Sequence, residues 1–201
     1  MRKIVAVISL TLDGVMQAPG RPDEDRRGGF EHGGWAGAYR DPVMMQTMGK
    51  GMAQAGPLLF GRRTYQDFFA VWPGRKDNPF TAVLDHAQKY VASRTLREPL
   101  PWQNSTLLAG DAAETVARLK EQPGKDLVVL GSGDLLHTLM RHGLVDVYVL
   151  LIHPLVLGRG RRLFTDDAQR TALRLVDSVT TTTGVVMATY HPVRGDATEA
   201  R

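Results

Sequence analysis

The chain contains no cysteine, which excludes disulfide bonds, thiolate catalysis and cysteine-ligated metal sites. It also lacks an uninterrupted apolar run of the roughly 18 residues that a membrane-spanning helix needs. The six histidines show no metal-ligand spacing, since His137 and His142 are placed too far round a helix to share one face. We therefore expect no metal and no membrane partner, and the absence of cysteine favours a cytoplasmic location.

Charge of either sign is also modest, with 25 Lys and Arg against 21 Asp and Glu. The net charge of +4 is compatible with nucleic-acid binding, but the chain has no long basic run and no basic helix interleaved with aromatic residues. The arginines stand in short clusters instead. They are either solvated surface residues or the binding groups of a small anionic ligand, so we expect a small-molecule substrate and no nucleic acid.

Apolar runs alternate with helix-like segments along most of the 201 residues, which predicts a largely parallel sheet covered by helices. The final two strand-like runs favour an antiparallel hairpin. We expect one α/β domain over residues 1–191 and a polar tail over residues 192–201. The predicted strands are 3–12, 57–61, 89–93, 106–109, 127–130, 145–152, 173–179 and 185–191, and the predicted helices are 41–55, 62–72, 111–121 and 134–141.

A long segment rich in glycine and charge, residues 14–40, precedes the first predicted helix. Loops of this length are uncommon in compact domains and are usually functional or mobile. Asp41-Pro42 then gives an N-cap followed by a proline at the first helical position. Met45, Met48 and Met52 recur at helical spacing, either as core filler or as an adaptable wall beside a ligand.

Three short segments each follow a strand-like apolar run, and each offers groups that bind anions. They are residues 58–64, 90–95 and 127–134. In the first and third, glycine permits a tight turn and exposes backbone N–H groups where a helix can begin, which favours a phosphate. The second contributes the polar side chains of Ser93–Thr95. Together the three segments indicate a phosphorylated nucleotide cofactor.

The order of these motifs resembles that of the dihydrofolate-reductase-like superfamily. Within it, the chain is most similar to the reductase domain of the bacterial bifunctional riboflavin-biosynthesis deaminase/reductase and its stand-alone relatives. The resemblance implies a three-layer α/β fold with a mostly parallel mixed sheet, an antiparallel C-terminal hairpin and helices on both faces. Because such relatives commonly dimerise, it also implies a homodimer. It covers roughly residues 3–191 and rests on segments 9–20, 59–65, 89–95, 129–134 and 153–164.

The resemblance implies an NADPH-dependent reductase and assigns cofactor-binding residues. A glycine at a strand end is also compatible with a plain turn, and Asp134 is either a helix cap or a ribose ligand. Arg94 can make charge-assisted hydrogen bonds to the adenosine 2′-phosphate, which favours NADPH over NADH. The implied residues are Thr11, then Gly61, Arg62, Arg63 and Thr64 for one phosphate, Gly131, Ser132, Gly133 and Asp134 around the pyrophosphate, and Ser93, Arg94 and Thr95 for the 2′-phosphate.

Asp13 and Trp35 are the catalytic candidates, at the two ends of the loop that we call the lid, residues 13–35. Asp13 precedes Gly14 and is compatible with a turn, while the resemblance places it at the mouth of the nicotinamide pocket. Trp35 either covers a flat substrate or anchors a small core. Few side chains are needed for the chemistry itself, because the nicotinamide supplies the hydride.

The helix after the lid lacks the carboxylate with which dihydrofolate reductase proper binds the pterin, since residues 42–50 contain no Asp or Glu. The resemblance therefore favours 5-amino-6-(5-phosphoribosylamino)uracil reductase of riboflavin biosynthesis, or reduction of another small heterocyclic, carbonyl or imine compound. The phosphate of such a substrate could meet Arg26-Arg27 or Arg159–Arg162. Two alternatives stay open: a reductase of dihydrofolate or another pterin, and an NADPH-binding protein with little turnover.

Overall fold

Eight strands form one mixed sheet in the computed structural model, which describes residues 1–76 and 78–193. The order across the sheet is β4-β3-β2-β5-β1-β6-β8-β7, where the first six are parallel and β8 pairs antiparallel with β6 and β7. The predicted mixed sheet with an antiparallel C-terminal hairpin is confirmed. The strands are β1 (Ile4–Thr11), β2 (Leu58–Gly61), β3 (Lys89–Ser93), β4 (Ser105–Ala109), β5 (Leu127–Leu130), β6 (Val147–His153), β7 (Leu173–Thr180) and β8 (Val186–Pro192).

The described residues form five α-helices: α1 (Pro42–Gln54), α2 (Arg62–Val71), α3 (Pro79–His86), α4 (Ala112–Glu121) and α5 (Gly133–Arg141). Helix α3 is not among the helices predicted from the sequence. Its start is encoded by Asn78-Pro79, the same pairing of a cap with a proline that predicts α1 at Asp41-Pro42. The Asn78 side chain accepts a hydrogen bond from the Phe80 amide at 2.9 Å.

The two faces of the sheet bury different sets of helices, because successive side chains of a strand point to opposite faces. On β2, Leu59 packs with β1, α4 and α5, whereas Leu58 and Phe60 pack with Tyr65 of α2 and Leu84 of α3. All five of these side chains are almost completely buried. The expected three-layer arrangement, with helices on both faces, is therefore confirmed.

The lid and the chain end depart from regular structure in different ways. Residues 14–40 carry only two short 3₁₀ turns, Arg27–Gly29 and Trp35–Tyr39. The last strand ends at Pro192, so the predicted tail over 192–201 begins inside β8, and residues 194–201 lie outside the described residues. Within the described ranges, no helix combines the length and apolarity needed to cross a bilayer.

Candidate active site

The three anion-binding strand ends predicted from the sequence lie side by side at one edge of the sheet. β3, β2 and β5 are consecutive parallel neighbours, so their last residues, Ser93, Gly61 and Leu130, meet at the same edge. Ligand sites of open α/β sheets form at this edge, beyond the carboxyl ends of the strands. The structure therefore brings the three segments together at one edge of the sheet.

The turn after β5 is joined to the start of α2 by two hydrogen bonds. Gly131 and Ser132 both adopt the left-handed backbone, with φ of 61° and 62°, a conformation that serine rarely takes. Ser132 Oγ accepts a hydrogen bond from the Gly61 amide at 3.0 Å, and the Ser132 amide donates to Thr64 Oγ1 at 3.1 Å. These bonds hold the first and third segments together as one unit.

The two helices that begin at this unit, α2 and α5, differ from the other three in how their N-termini are capped. The side chains of Asp41, Asn78 and Asp111 cap α1, α3 and α4. Among the described residues, no side chain caps α2 at Gly61 or α5 at Ser132. First-turn N–H groups have no acceptor within their own helix, and the helix dipole favours negative charge there, so both starts suit a phosphate.

A cavity of about 540 Å³ opens over these helix starts. We call it the polar cavity. It brings together most of the residues assigned to the cofactor, from three distant parts of the chain. Those that line it are Gly61, Arg62, Arg63, Thr64, Ser93, Arg94, Thr95, Ser132, Gly133 and Asp134.

Ser93 shapes the third corner of the polar cavity. Its hydroxyl oxygen accepts hydrogen bonds from the amides of Thr95 at 3.1 Å and Leu96 at 3.0 Å. Ser93 is buried, while Arg94 and Thr95 are exposed along the cavity. The serine hydroxyl therefore fixes the turn. Arg94 forms no ion pair within the described part of the chain, so its guanidinium is available to an anion in the cavity.

A second cavity, of about 730 Å³, adjoins the polar cavity. We call it the methionine cavity because five methionines line it, together with Gly131 and the aromatic rings of Phe68 and Trp72. Met48 and Met52 also pack on neighbouring core clusters, so the methionine stripe of α1 serves both as core and as cavity wall. The methionines are Met16, Met44, Met45, Met48 and Met52.

The two cavities meet at a cluster of charges around Asp134. Its carboxylate accepts a hydrogen bond from Arg63 at 2.9 Å, pairs with Arg161 and lies 3.6 Å from Arg27. The N-cap of α5 is Ser132, so Asp134 is not the cap of that helix. Asp25, which pairs with Arg27, adds a second carboxylate, and the three arginines still outnumber the two carboxylates, so this junction favours an anion.

Asp13 and Thr11 hold a loop and lie outside the lining of both cavities. The Thr11 hydroxyl donates to Asp13 at 2.6 Å, and the Asp13 carboxylate accepts from the amides of Leu157 at 3.2 Å and Gly158 at 2.8 Å. The Thr11 hydroxyl above all, with these amides, lowers the pKa of Asp13 to about 2 against the effect of burial. A carboxyl so firmly ionised is a poor proton donor, so we revise the catalytic role of Asp13 and the cofactor role of Thr11 to structural ones.

Trp35 does not lie where a residue that covers the substrate would lie. Its indole is 8% exposed, packs with Val15 and Phe30, and meets His153 edge-on at 5.0 Å. Its Nε1 donates to the Gln17 carbonyl at 2.8 Å. The ring lies outside the lining of both cavities, so the structure supports the alternative interpretation of an anchor in a small core within the lid.

The arginines proposed for a substrate phosphate divide into two groups. Arg159 donates to Gly29 and Arg162 donates to Asp13, so these two tie the lid to the segment before β7. Arg26, Arg27 and Arg161 line the methionine cavity. Only the second group is placed to meet a ligand phosphate there.

The methionine cavity is also lined by carboxyl groups that were not predicted from the sequence. Asp67 of α2 forms a bidentate pair with Arg21 of the lid, at 2.6 and 3.2 Å. Glu24 accepts hydrogen bonds from the amides of Gly20 at 2.6 Å and Arg21 at 3.1 Å. Burial raises the pKa of Glu24, and the nearby charge of Asp67 adds to that effect. The sequence does not indicate which carboxyl groups of the acidic run Asp23–Asp25 line the cavity, and the structure shows that Glu24 and Asp25 do.

Two comparisons of sequence place the chain among known proteins. The model of the RibD C-terminal domain matches residues 2–187. The uncharacterized protein YyaP of Bacillus subtilis (strain 168) is 33% identical over 196 residues, which cover 94% of this chain and 95% of that protein.

Solved structures share the fold at low sequence identity. A putative riboflavin biosynthesis protein from Shewanella sp. PV-4 has a TM-score of 0.69 at 20% identity, covering 96% of this chain and 99% of that one. Dihydrofolate reductase from Enterococcus faecalis, complexed with NADP(H), has a TM-score of 0.58 at 14% identity, covering 94% and 96%. These similarities identify the fold as dihydrofolate-reductase-like.

Proposed function

This chain belongs to the RibD C-terminal domain family, and from that membership and its two cavities we propose that it is an NADPH-dependent reductase. The observation that carries the proposal is the polar cavity, where two uncapped helix starts and Arg94 converge from three separate strand ends. A plain turn at each glycine would not require the three segments to share one cavity. The NADP(H) complex of the enterococcal dihydrofolate reductase lends support, since it has the same fold.

The residues present fit a dinucleotide phosphate. The starts of α2 and α5 would hold the pyrophosphate through backbone N–H groups, and Thr64 and Ser132 keep the two starts in register. Arg94 and Thr95 would hold the 2′-phosphate. When bound, the dihydronicotinamide supplies a hydride. The protein's contribution is then to position the acceptor and keep water away from it.

The methionine cavity is the proposed substrate site. It shares Arg27, Arg63, Thr64, Ser132 and Gly133 with the polar cavity, so the proposed substrate and cofactor sites adjoin. Its methionine and aromatic walls suit a flat heterocycle. The arginines at its rim suit an anionic substituent. We propose a phosphoribosylaminopyrimidine or a related imine or carbonyl compound.

Folate is the less suitable occupant. α1 contributes no carboxylate to the cavity, because it contains neither Asp nor Glu. The pterin contact that dihydrofolate reductase proper makes from this helix therefore has no counterpart in α1.

The proposal is tested by following NADPH oxidation with 5-amino-6-(5-phosphoribosylamino)uracil and, in parallel, with dihydrofolate. We expect turnover of the pyrimidine and little or none of dihydrofolate. Tight NADPH binding without oxidation by any pyrimidine or pterin would instead identify an NADPH-binding protein. A homodimer and a cytoplasmic location remain predictions, which gel filtration coupled to light scattering and cell fractionation would test.

A further inference from the structure

The reduction of a C=N or C=O bond needs a proton as well as a hydride, and the groups first assigned to catalysis do not supply one. Asp13 is ionised and bound to a loop, and Trp35 lies in a core. α1 contributes no carboxylate. Within the described residues, the carboxyl groups that line the methionine cavity are Glu24, Asp25 and Asp67.

Two of these three are committed to arginines. Asp67 pairs with Arg21 through both oxygens. Asp25 pairs with Arg27 through both of its oxygens, at 2.8 and 2.5 Å. Although burial opposes it, Arg27 holds the pKa of Asp25 below its ordinary value. Both carboxylates are therefore engaged by an arginine through both of their oxygens.

Glu24 differs from its neighbours in the way that it is held. A single oxygen, Oε2, accepts both backbone hydrogen bonds, from Gly20 and Arg21. Neither of these bonds reaches the second carboxylate oxygen, Oε1, and no other described residue is shown donating to it. A carboxylic acid can therefore carry its proton on Oε1 while Oε2 keeps both of its backbone bonds.

The pKa of Glu24 is raised above its ordinary value, by desolvation first and then by a neighbouring carboxylate, against the two hydrogen bonds from the Gly20 and Arg21 amides. The Asp67 carboxylate acts on it from α2, and the positive charge of Arg21, which opposes that effect, is already shared between Asp67 and Asp23. Glu24 is half-buried, and desolvation disfavours its carboxylate form in its own right. The other charged groups that line the cavity are Asp25, Arg26, Arg27, Arg40, Arg63 and Arg161.

We propose that Glu24 is the proton donor of the methionine cavity, an inference that rests on the reductase function proposed above. Glu24 shares this cavity with Gly131–Gly133 and Thr64, which form the cofactor side. Its proton passes to the substrate nitrogen or oxygen as the π electron pair of the C=N or C=O bond moves onto that atom. The hydride that bound NADPH would supply completes the new C–H bond and would leave NADP⁺, and water reprotonates the Glu24 carboxylate.

The first test needs no substrate. Carbon-13 NMR of protein labelled at the glutamate side-chain carboxyl, assigned with Glu24→Gln, follows the titration of Glu24. We expect a midpoint above the ordinary value of about 4.3. Asp67→Asn should lower that midpoint, because it removes the like charge. Asp177→Asn, at an exposed carboxyl of β7 outside the cavity lining, should leave it unchanged. A midpoint at or below the ordinary value would overturn the proposal.

The second test uses the NADPH-loaded enzyme and the pyrimidine. Glu24→Gln keeps an oxygen that accepts from Gly20 and Arg21 but cannot give up a proton, so its NADPH Kd should stay within about twofold while kcat falls by about 10²-fold or more. The basic limb of the pH–kcat profile should also disappear. Wild-type turnover in Glu24→Gln would reduce Glu24 to a lid contact, with the reductase function intact. Absence of turnover in the wild-type protein would overturn the proposed function, and the proton-donor role with it.

Discussion

The hydroxyl of Ser132 accepts a hydrogen bond of 3.0 Å from the backbone amide of Gly61, a residue 71 positions earlier in the chain. The bond joins the carboxyl ends of β2 and β5, which are adjacent in the sheet. It depends on the left-handed backbone of Ser132, where φ is 62°. Because this bond and the bond from the Ser132 amide to Thr64 Oγ1 join the starts of α2 and α5, Ser132 supports the phosphate site through geometry as well as through its own hydrogen-bonding groups.

Ser132 offers a pair of variants that separates its hydroxyl from its backbone. Ser132→Ala keeps the cost of a left-handed residue and leaves the Gly61 amide without its acceptor, so unfolding should be easier by about 1–3 kcal/mol. Ser132→Gly loses the same bond but fits the backbone, and should be more stable than the alanine variant by about 0.5–1 kcal/mol. Urea unfolding measures both. Equal stability of the two variants would show that the backbone at this position is not left-handed.

Asp13 should act on stability in a pH-dependent way. Its pKa of about 2 lies below the unfolded value of about 3.9, so the ionised carboxylate stabilises the fold above pH ~4 and this contribution is lost as the pH falls towards 2. In Asp13→Asn, an NH2 group replaces one of the two oxygens that accept from the Leu157 and Gly158 amides. The variant should therefore be less stable than wild type at neutral pH. The difference from wild type, measured by thermal unfolding, should shrink between pH ~4 and ~2. A difference that is constant with pH would contradict this role.

Trp35→Phe tests whether the indole belongs to the core or to the substrate. The variant leaves the buried Gln17 carbonyl without the Nε1 donor, which should cost about 1–3 kcal/mol of stability. Cofactor affinity and the KM for the pyrimidine should stay within about twofold, because the ring lies outside both cavities. Melting curves and NADPH titrations of the same samples give the comparison. A raised KM in a variant of unchanged stability would restore the substrate-covering role.

Much of the fold follows from local signals in the sequence. β3 is predicted to the residue over Lys89–Ser93, because an apolar run ends there in three polar residues. The start of α4 is marked by Asp111, whose side chain accepts from the amides of Ala113 and Glu114. The position of the polar cavity is predictable as well, since parallel neighbours end at the same edge of a sheet. Each of these predictions uses residues that are close together in the chain or a general rule of sheet geometry.

The parts that escaped prediction depend on contacts between distant residues. Asp134 resembles a helix cap in the sequence, but its partners Arg27, Arg63 and Arg161 come from three separate segments. Glu24 is one of several lid acids, and only the packed lid separates it from the exposed Asp23. Helix α3 is a different case, because its cap and proline were present in the sequence.

Arg94 is the residue whose replacement tests NADPH use. Its side chain is exposed in the polar cavity, next to the turn that Ser93 holds. Arg97, three residues on, is also exposed, donates to the Leu96 carbonyl and lies outside the cavity lining, so Arg97→Ala is the matched control. Titration of the wild type and both variants with NADPH and with NADH gives six dissociation constants.

We expect Arg94→Ala to weaken NADPH binding by about 1.5–3 kcal/mol, or roughly 10- to 150-fold, with little change for NADH. Arg97→Ala should change neither constant. Equal losses for NADPH and NADH in Arg94→Ala would contradict a 2′-phosphate site at Arg94, and a wild-type protein that binds neither dinucleotide would contradict the cofactor site itself.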